Sequence, residues 1–564
     1  MYYKILQPDM SKSLIDRLMD IRGITKDKYD DFLNPSFANS RLDPQNLNDI
    51  NKWVDRIMEA IAKNQKIMIF GDYDVDGVTS SWIVYKFFHK RCNYKKVSVR
   101  LPNRLEDWYG IKSYHLDEIK SCGVELVITV DNGITAVSEM EHAKKIWLDV
   151  VITDHHQRLD HIPDAVAVIN PQVSDNYDFK WICWAAVWFK VCYEVARRMN
   201  FSADKMRQLV EYMLPVVAMG TVADCVPLIS ENRLMVQRWL FLLNRRIWVS
   251  GSILNFMDYL KLGKSRPIGS MEIWYVIWPR LNAGGRILSP MESFKSLLYK
   301  WEKQIEHMNK IDELNNHRKK LQEDMIKFAE ENIDKDQSIL ICWGDGFHEG
   351  VVGIVSGRLT ERYHKPSLVY SIDHHKGIAV ASLRAPNYFS IVDMLYEHKH
   401  LLDRYGGHKQ AWWLTVQIDK IPELINCLQL YCQNILSNTD LTKYIYIDTV
   451  LSPSDLNHDT LRIIDMMEPY WEGNREPLFL LSQAKVISVK KVGTRWNGHI
   501  KFTLDIDGKM ISTMFWSKWA GYADYINYEN CLTDLVVRVK IDDFDSNGFY
   551  LVVQEVGEEI ITAQ

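Results

Sequence analysis

Short apolar runs that end in acidic residues recur along the first part of the chain. Lys66-Ile67-Met68-Ile69-Phe70 leads into Gly71-Asp72-Tyr73-Asp74-Val75-Asp76-Gly77. Leu126-Val127-Ile128-Thr129-Val130 leads into Asp131-Asn132-Gly133, and Val150-Val151-Ile152-Thr153 into Asp154-His155-His156. A β-rich run ending in a carboxylate predicts a buried strand with the acid at its C-terminal edge. From about residue 50 to 240 strand and helix signals alternate, which predicts a parallel sheet in an α/β domain. Val78-Thr79-Ser80-Ser81, followed by Ile83, Val84, Phe87 and Phe88, reads as an N-cap and the apolar face of a helix.

The pattern changes further on. Residues 205–245 read as helical with an interruption near Ala223-Asp224-Cys225-Val226-Pro227. From Trp301 to Ile333 apolar residues recur at helical spacing in a charged segment, long enough to bridge two domains. A second α/β unit starts at Ser338-Ile339-Leu340-Ile341, and Ser367 to Val380 reads as two strands around a polar turn. Runs at 484–492, 499–506, 510–515, 533–541 and 549–556 predict five short strands of an OB-type barrel. The expected organisation is a helical lead-in over 1–48, a parallel-sheet catalytic domain over 49–245, a helical connector over 246–335, a smaller α/β domain over 336–435 and the barrel over 440–564.

Composition narrows the class. A net charge of −5 leaves no global basic field, so a nucleic-acid partner must be held by local patches. The nine Cys include no C-x-x-C pair, which argues against a zinc ribbon or a disulfide framework and fits a reducing cytoplasm. No apolar stretch approaches a membrane span, and the first ten residues lack the apolar core of a signal peptide.

Ligands bind outside the C-terminal edges of strands in open α/β sheets. Three acidic edges meeting there would gather four or five carboxylates and two imidazoles, and such a group needs cations. Oxygen-rich ligands favour Mg²⁺ or Mn²⁺, and one imidazole tilts the choice to Mn²⁺. Asp72, Asp74 and Asp76, taken as alternate residues of a strand, could point together. Asp224, among apolar neighbours, reads as a partly buried carboxylate. Asp373-His374-His375 repeats the letters of the third motif but reads as a hairpin turn. Arg280-Leu281-Asn282-Ala283-Gly284-Gly285-Arg286 combines a close-approach glycine pair with two guanidiniums suited to an anion. Ser382-Leu383-Arg384 and Gly406-Gly407-His408 follow the same logic.

GDYDVDG, VDNG, TDHH, VADCVPL, RLNAGGR, HEGVVGIVSGRL and GGH occur here in the order found in DHH-family phosphoesterases that carry a DHHA1 domain. The chain most resembles that family's single-strand-specific 5′→3′ DNA exonucleases, which act in recombination and repair. The resemblance implies two ions, Mn²⁺ or Mg²⁺, held by Asp74, Asp76, Asp131, His155 and Asp224, with Asp72 in support and His156 near the scissile phosphate. It implies substrate contacts from Arg104, Arg280, Asn282, Arg286, His348, Ser382, Arg384, Gly407 and His408. Paired ions lower the pKa of a bridging water and take up charge on the attacking and leaving oxygens. The implied product is the 5′ mononucleotide and the implied partners are single-stranded DNA, a single-strand-binding protein and a helicase. Phe70 stands where phosphatase relatives carry a His ligand, which argues against a pyrophosphatase. The alternatives are a phosphodiesterase for short RNA or cyclic dinucleotides, and a non-catalytic DNA-tracking scaffold.

Tryptophan departs from this picture. Relatives of the resembled type have Gly at Trp108, Trp184, Trp239, Trp274, Trp413 and Trp471, and small residues at Trp147, Trp188, Trp278 and Trp412. Gly is 27 of 564 residues, about 5% against a usual level of about 7%, while Trp reaches 19. Moving about a dozen Trp to Gly restores the usual level. The pattern is that expected of a gene whose UGA codons specify Gly, rendered with a code in which UGA specifies Trp. The rival is a degenerate chain with genuine Trp, which the intact acidic motifs disfavour.

Overall fold

The computed structural model describes residues 2–36, 43–104, 106–107, 110–157, 161–264, 266–437, 444–494, 497–516, 528–541 and 548–557. Two compact units account for the chain. One comprises residues 43–226 and 238–441, the other residues 1–42, 227–237 and 442–564.

The larger unit contains both expected α/β sheets. Its first sheet is wholly parallel, ordered Val97–Arg100, Ile67–Phe70, Leu126–Thr129, Asp149–Thr153, Ala167–Ile169. The central strands are buried on both faces, which is why their sequences are continuous apolar runs. Its second sheet is ordered Arg404–His408, Ala411–Gln417, Ile378–Arg384, Ser367–Asp373, Leu340–Trp343, antiparallel except for the last pair. Asp373-His374-His375 ends one of these strands and enters the turn before the next, as expected. The helix Trp301–Asn332 packs Met308, Ile311 and Leu314 inward, and farther on Met325 and Ala329 join the core formed by Leu340, Val352 and Val355.

Two local expectations are corrected. The strand before the first acidic motif ends at Phe70, so Asp72, Asp74 and Asp76 do not alternate along it. Asp74 is instead the N-cap of the helix Val75–Lys86, its carboxylate accepting from the Gly77 N–H at 3.0 Å, and Asp76 lies in the first turn. The cap is therefore not in Val78–Ser81. RLNAGGR lies in the helix Trp278–Ile287. A Cβ on Gly285 would stand 2.2 Å from the Tyr73 carbonyl, so the glycine is there for close backbone approach.

The smaller unit holds a closed barrel. Phe479–Thr494 pairs with Asn497–Ile506, which pairs with Lys509–Met514, then Phe549–Gly557, then Leu532–Ile541, which returns to the first strand. The first residues are not a helical lead-in but part of this unit. Tyr2–Ile5 pairs in parallel with Tyr444–Ile447, and Leu14, Leu18 and Met19 of the helix Leu14–Ile21 enter the barrel's core cluster. Within the same unit, Arg233 stacks on Phe32 at 4.1 Å and donates to the carbonyls of Phe32, Met466, Glu468 and Pro469.

Several Trp residues fit their sites badly. Trp147, at φ 56°, donates its backbone N–H to Lys144 O just past the helix Val137–Lys145, while Leu148 reaches back to Ala143 O. That left-handed helix terminus is a glycine position, and the indole there is 87% exposed. Trp248 and Trp301 also have φ of 60°. Trp184, Trp188 and Trp239 are fully buried, and their indole N–H groups have no hydrogen-bond partner. Trp82, by contrast, donates to Leu297 O at 3.0 Å. Trp108 lies outside the described residues. A bulky residue in the left-handed region costs about 1–2 kcal/mol, and an orphan buried donor about 1–3 kcal/mol. Replacing Trp147, Trp248 or Trp301 by Gly is therefore expected to raise stability by about 1 kcal/mol each in denaturant titration. The corresponding gene codons are expected to be UGA, and UGG at all three would overturn the glycine reading.

Candidate metal centre and anion pocket

The first site forms where the parallel strands end. Asp72 follows Phe70, Asp131 follows Thr129 through Val130, and Asp154-His155-His156 follows Thr153. Asp224 arrives from another direction, as the C-cap of the helix Ala203–Ala223. Ligand atoms lie within 4.8 Å of one another in three overlapping groups: Asp131, His155 and His156; Asp76, His155 and Asp224; and Asp72, Asp74 and Asp131. His155 Nε2 stands 3.3 Å from Asp131 Oδ1, and its Nδ1 3.7 Å from Asp224 Oδ2. Every residue expected to hold metal is in this cluster.

Asp76 is held hardest. It accepts from the backbone N–H groups of Trp184 at 2.8 Å and Ala185 at 3.0 Å, at the start of the helix Trp184–Arg198. That terminus favours an anion. Burial and the nearby Asp224 nevertheless push its carboxyl up to about 7. Burial and Asp74 raise Asp224 to about 8 and lift Asp72 and Asp131 far above the carboxylate range. Asp72 Oδ1 and Asp224 Oδ2 are buried and accept no hydrogen bond. Crowded carboxylates that repel one another, some with unused lone pairs, fit divalent cations with oxygen ligands.

Asp154 has a different role, which its sequence motif left unassigned. It accepts from the N–H groups of Ile134, His155 and His156 and from His156 Nδ1 at 2.7 Å. Burial opposes charge on His156, but Asp154 prevails and raises it to about 9. The contact also fixes the ring, with Nδ1–H donating to Asp154.

Beside this cluster lies a pocket of arginines. Arg104 stacks over Tyr73 with its guanidinium 5.3 Å from the ring centre. Arg384 donates to Ser382 Oγ and Leu383 O, both at 3.0 Å, and Arg286 to Gly350 O at 3.2 Å. Burial, then Arg104, Arg318 and Arg384, lower Arg286 to about 9; burial and Arg104 lower Arg384 to about 10. Mutually repelling buried cations define an anion site. A Cβ on Gly353 would fall 3.1 Å from Ser382 Oγ and 3.3 Å from Arg384, so the start of the helix Val352–Tyr363 faces the same place. His348 is lowered by burial, then by His317 and Arg104.

Arg280 does not join this set. Its Nε donates to Asp312 at 2.6 Å and its Nη1 to Val276 O at 2.8 Å. Arg318, on the long helix, stands among the cations around Arg286 instead, and no short motif marks it. Asn282 is buried in the helix between Arg280 and Arg286. Gly406 and Gly407 lie in a strand opposite Trp413 and Trp412, and Trp413 is in turn opposite Ser382. His408 ends that strand, and its side chain lies outside the described residues.

Comparison with known proteins matches this geometry. Residues 66–221 match the DHH family, N-terminal domain, residues 336–434 the DHHA1 domain, and residues 447–550 the RecJ OB domain. The single-stranded-DNA-specific exonuclease RecJ of Bacillus subtilis is 32% identical over 483 residues, 84% of this chain. The chain spans 59% of that relative's length. RecJ of Haemophilus influenzae is 27% identical over 509 residues, 87% of each chain. The crystal structure of RecJ from Thermus thermophilus in complex with Mn²⁺ covers 100% of this chain and 80% of its own, with a TM-score of 0.80 at 21% identity. The Mg²⁺ complex of the same protein gives 0.75. At that identity the structural likeness establishes the fold.

Removing metal should expose the carboxylate repulsion. Asp76 and Asp224 have folded-state values of about 7 and about 8, above the ordinary 3.8, so the folded chain binds more protons than the unfolded chain between those limits. Their contribution is full below about pH 4 and is lost as pH rises through about 7 and 8. The metal-free thermal midpoint is expected to drop from about pH 6 to about pH 9, and Mn²⁺ to cancel the drop. A flat metal-free profile would contradict this charge balance.

Proposed function

From the premise that this chain belongs to the RecJ family of DHH–DHHA1 proteins, we propose that it is a single-stranded-DNA-specific exonuclease. In this reading it cuts 5′→3′, releases 5′ mononucleotides, and uses two ions of Mn²⁺ or Mg²⁺. The observation that carries it is the pairing of a buried carboxylate–histidine cluster with an adjacent arginine pocket.

Asp74, Asp76, Asp131, His155 and Asp224 would hold the metal, with Asp72 in support. Bound divalent ions supply Lewis acidity at the phosphoryl oxygens and an activated water. The protein's own groups do the rest. Arg104, Arg286 and Arg384, with Ser382, grip a phosphate and fix the strand end, so that the first phosphodiester meets the acidic cluster in a single register. His156, kept protonated by Asp154, steadies a phosphoryl oxygen and delivers a proton to the departing one. The closed barrel supplies a surface of the kind that holds single strands.

An enzyme restricted to unpaired DNA depends on a reaction that separates strands. A helicase and a single-strand-binding protein are the partners this reading requires, and recombination and repair are its setting. None of the nine cysteines is in a disulfide, and no described helix is long and apolar enough to cross a membrane. The reading places the protein in the cytoplasm.

The test uses end-labelled strands with one or the other end blocked, with Mn²⁺ and with EDTA. Mononucleotides released from an open 5′ end of single strands, and not of duplex, are the expected result. Digestion confined to fragments of two to five nucleotides would favour the short-RNA reading, and binding without turnover the scaffold. Asp131→Ala is expected to abolish cleavage while strand binding stays measurable; His156→Ala is expected to slow it by about 10²–10⁴-fold. A fully active Asp131→Ala variant would remove Asp131 from the metal centre.

A further inference from the structure

The turn that carries Arg104 is tied down by one carboxylate. Asp107 Oδ2 accepts from the Asn103 N–H at 2.7 Å, and the Asp107 N–H donates back to Asn103 O at 2.7 Å. Asp107 Oδ1 accepts from the Tyr114 hydroxyl at 3.1 Å and stands 3.1 Å from His115 Nε2. His115 is fully buried, and its Nδ1 accepts from the Lys112 N–H at 3.1 Å. With Nδ1 an acceptor, Nε2 bears the hydrogen and donates to Asp107. The His115 ring packs against Phe70 at 5.0 Å, and Phe70 is the last residue of the strand that leads to Asp72. A continuous set of contacts thus joins the metal-site strand to the Arg104 turn.

Electrostatics explains why such a tether is needed. Arg104 is among the charges that destabilise protonated Arg286 and Arg384. Those two arginines are anchored by backbone carbonyls and Ser382, whereas Arg104 rests on the face of Tyr73. Repulsion from those two arginines acts on Arg104 against the attraction of Asp72 and Glu349, so its place depends on how its turn is held.

We propose that Asp107 and His115 are positioning residues that hold Arg104 in the pocket and thereby set a preference for strand ends bearing a phosphate. Neither touches the substrate. The proposal rests on the reading of the arginine pocket as the seat of the terminal phosphate.

The experiment compares 5′-phosphorylated and 5′-hydroxyl single strands of one sequence, using the full chain with Mn²⁺. Arg104→Ala is expected to raise KM for the phosphorylated strand about tenfold more than for the hydroxyl strand. Asp107→Asn is expected to reproduce that pattern with kcat held within about twofold, and the double variant to be no worse than Arg104→Ala. Tyr114→Phe, at a residue 46% exposed, removes one tie without threatening the fold and should act in the same direction, more weakly. If Arg104→Ala abolishes the preference while Asp107→Asn and Tyr114→Phe preserve it, or slow both strands equally, the positioning role is wrong. If Arg104→Ala leaves the preference intact, the phosphate reading of the pocket falls and the proposal with it.

Discussion

Repulsion among buried carboxylates governs the metal end of this protein. Asp72, Asp76, Asp131 and Asp224 all have raised proton affinities, with burial as the leading cause and neighbouring acids adding to it. No arrangement of apolar side chains relieves that crowding. The surrounding structure holds the acids in place through the starts of two helices, the end of a third and three strand ends. The arginine pocket is its counterpart, a set of like charges gathered before the opposite charge arrives. Both sites gather groups of like charge whose mutual repulsion an ion of the opposite sign would relieve.

The sequence disclosed the sheet well and the loops poorly. The strands Ile67–Phe70, Leu126–Thr129 and Asp149–Thr153 are legible because a buried parallel strand is an uninterrupted apolar run. The acidic triplet after Phe70 misled a period-two reading because the chain turns at once into a helix, where Asp74 caps and Asp76 faces a neighbouring helix start. The letters of RLNAGGR do not show that its glycines sit in a helix with Tyr73 pressed against Gly285. Arg280 was expected at the phosphate, but Asp312, on another helix, takes its guanidinium. The metal ligands clustered because strand order brings strand ends together, whereas arginine orientation depends on partners distant in sequence.

The tryptophans join sequence and structure most directly. Where a helix ends at Trp147, the backbone has the geometry of a glycine terminus while the side chain is the largest available. In the second sheet Trp413 stands in register between Gly406 and Ser382, and its ring limits the space above Gly406. The backbone thus records a smaller residue than the letters name.

The barrel unit draws on both ends of the chain. Tyr2–Ile5 pairs with Tyr444–Ile447, and Arg17 donates to Thr449 Oγ1 across 432 positions. Tyr2–Ile5 has no partner until Tyr444–Ile447 has left the ribosome. The larger unit, whose segments lie mostly between, has the opportunity to form first. Leu14, Leu18 and Met19 must meanwhile stay exposed or sheltered by a chaperone, so this protein's yield in a cell depends on how the nascent chain is handled as well as on its final stability.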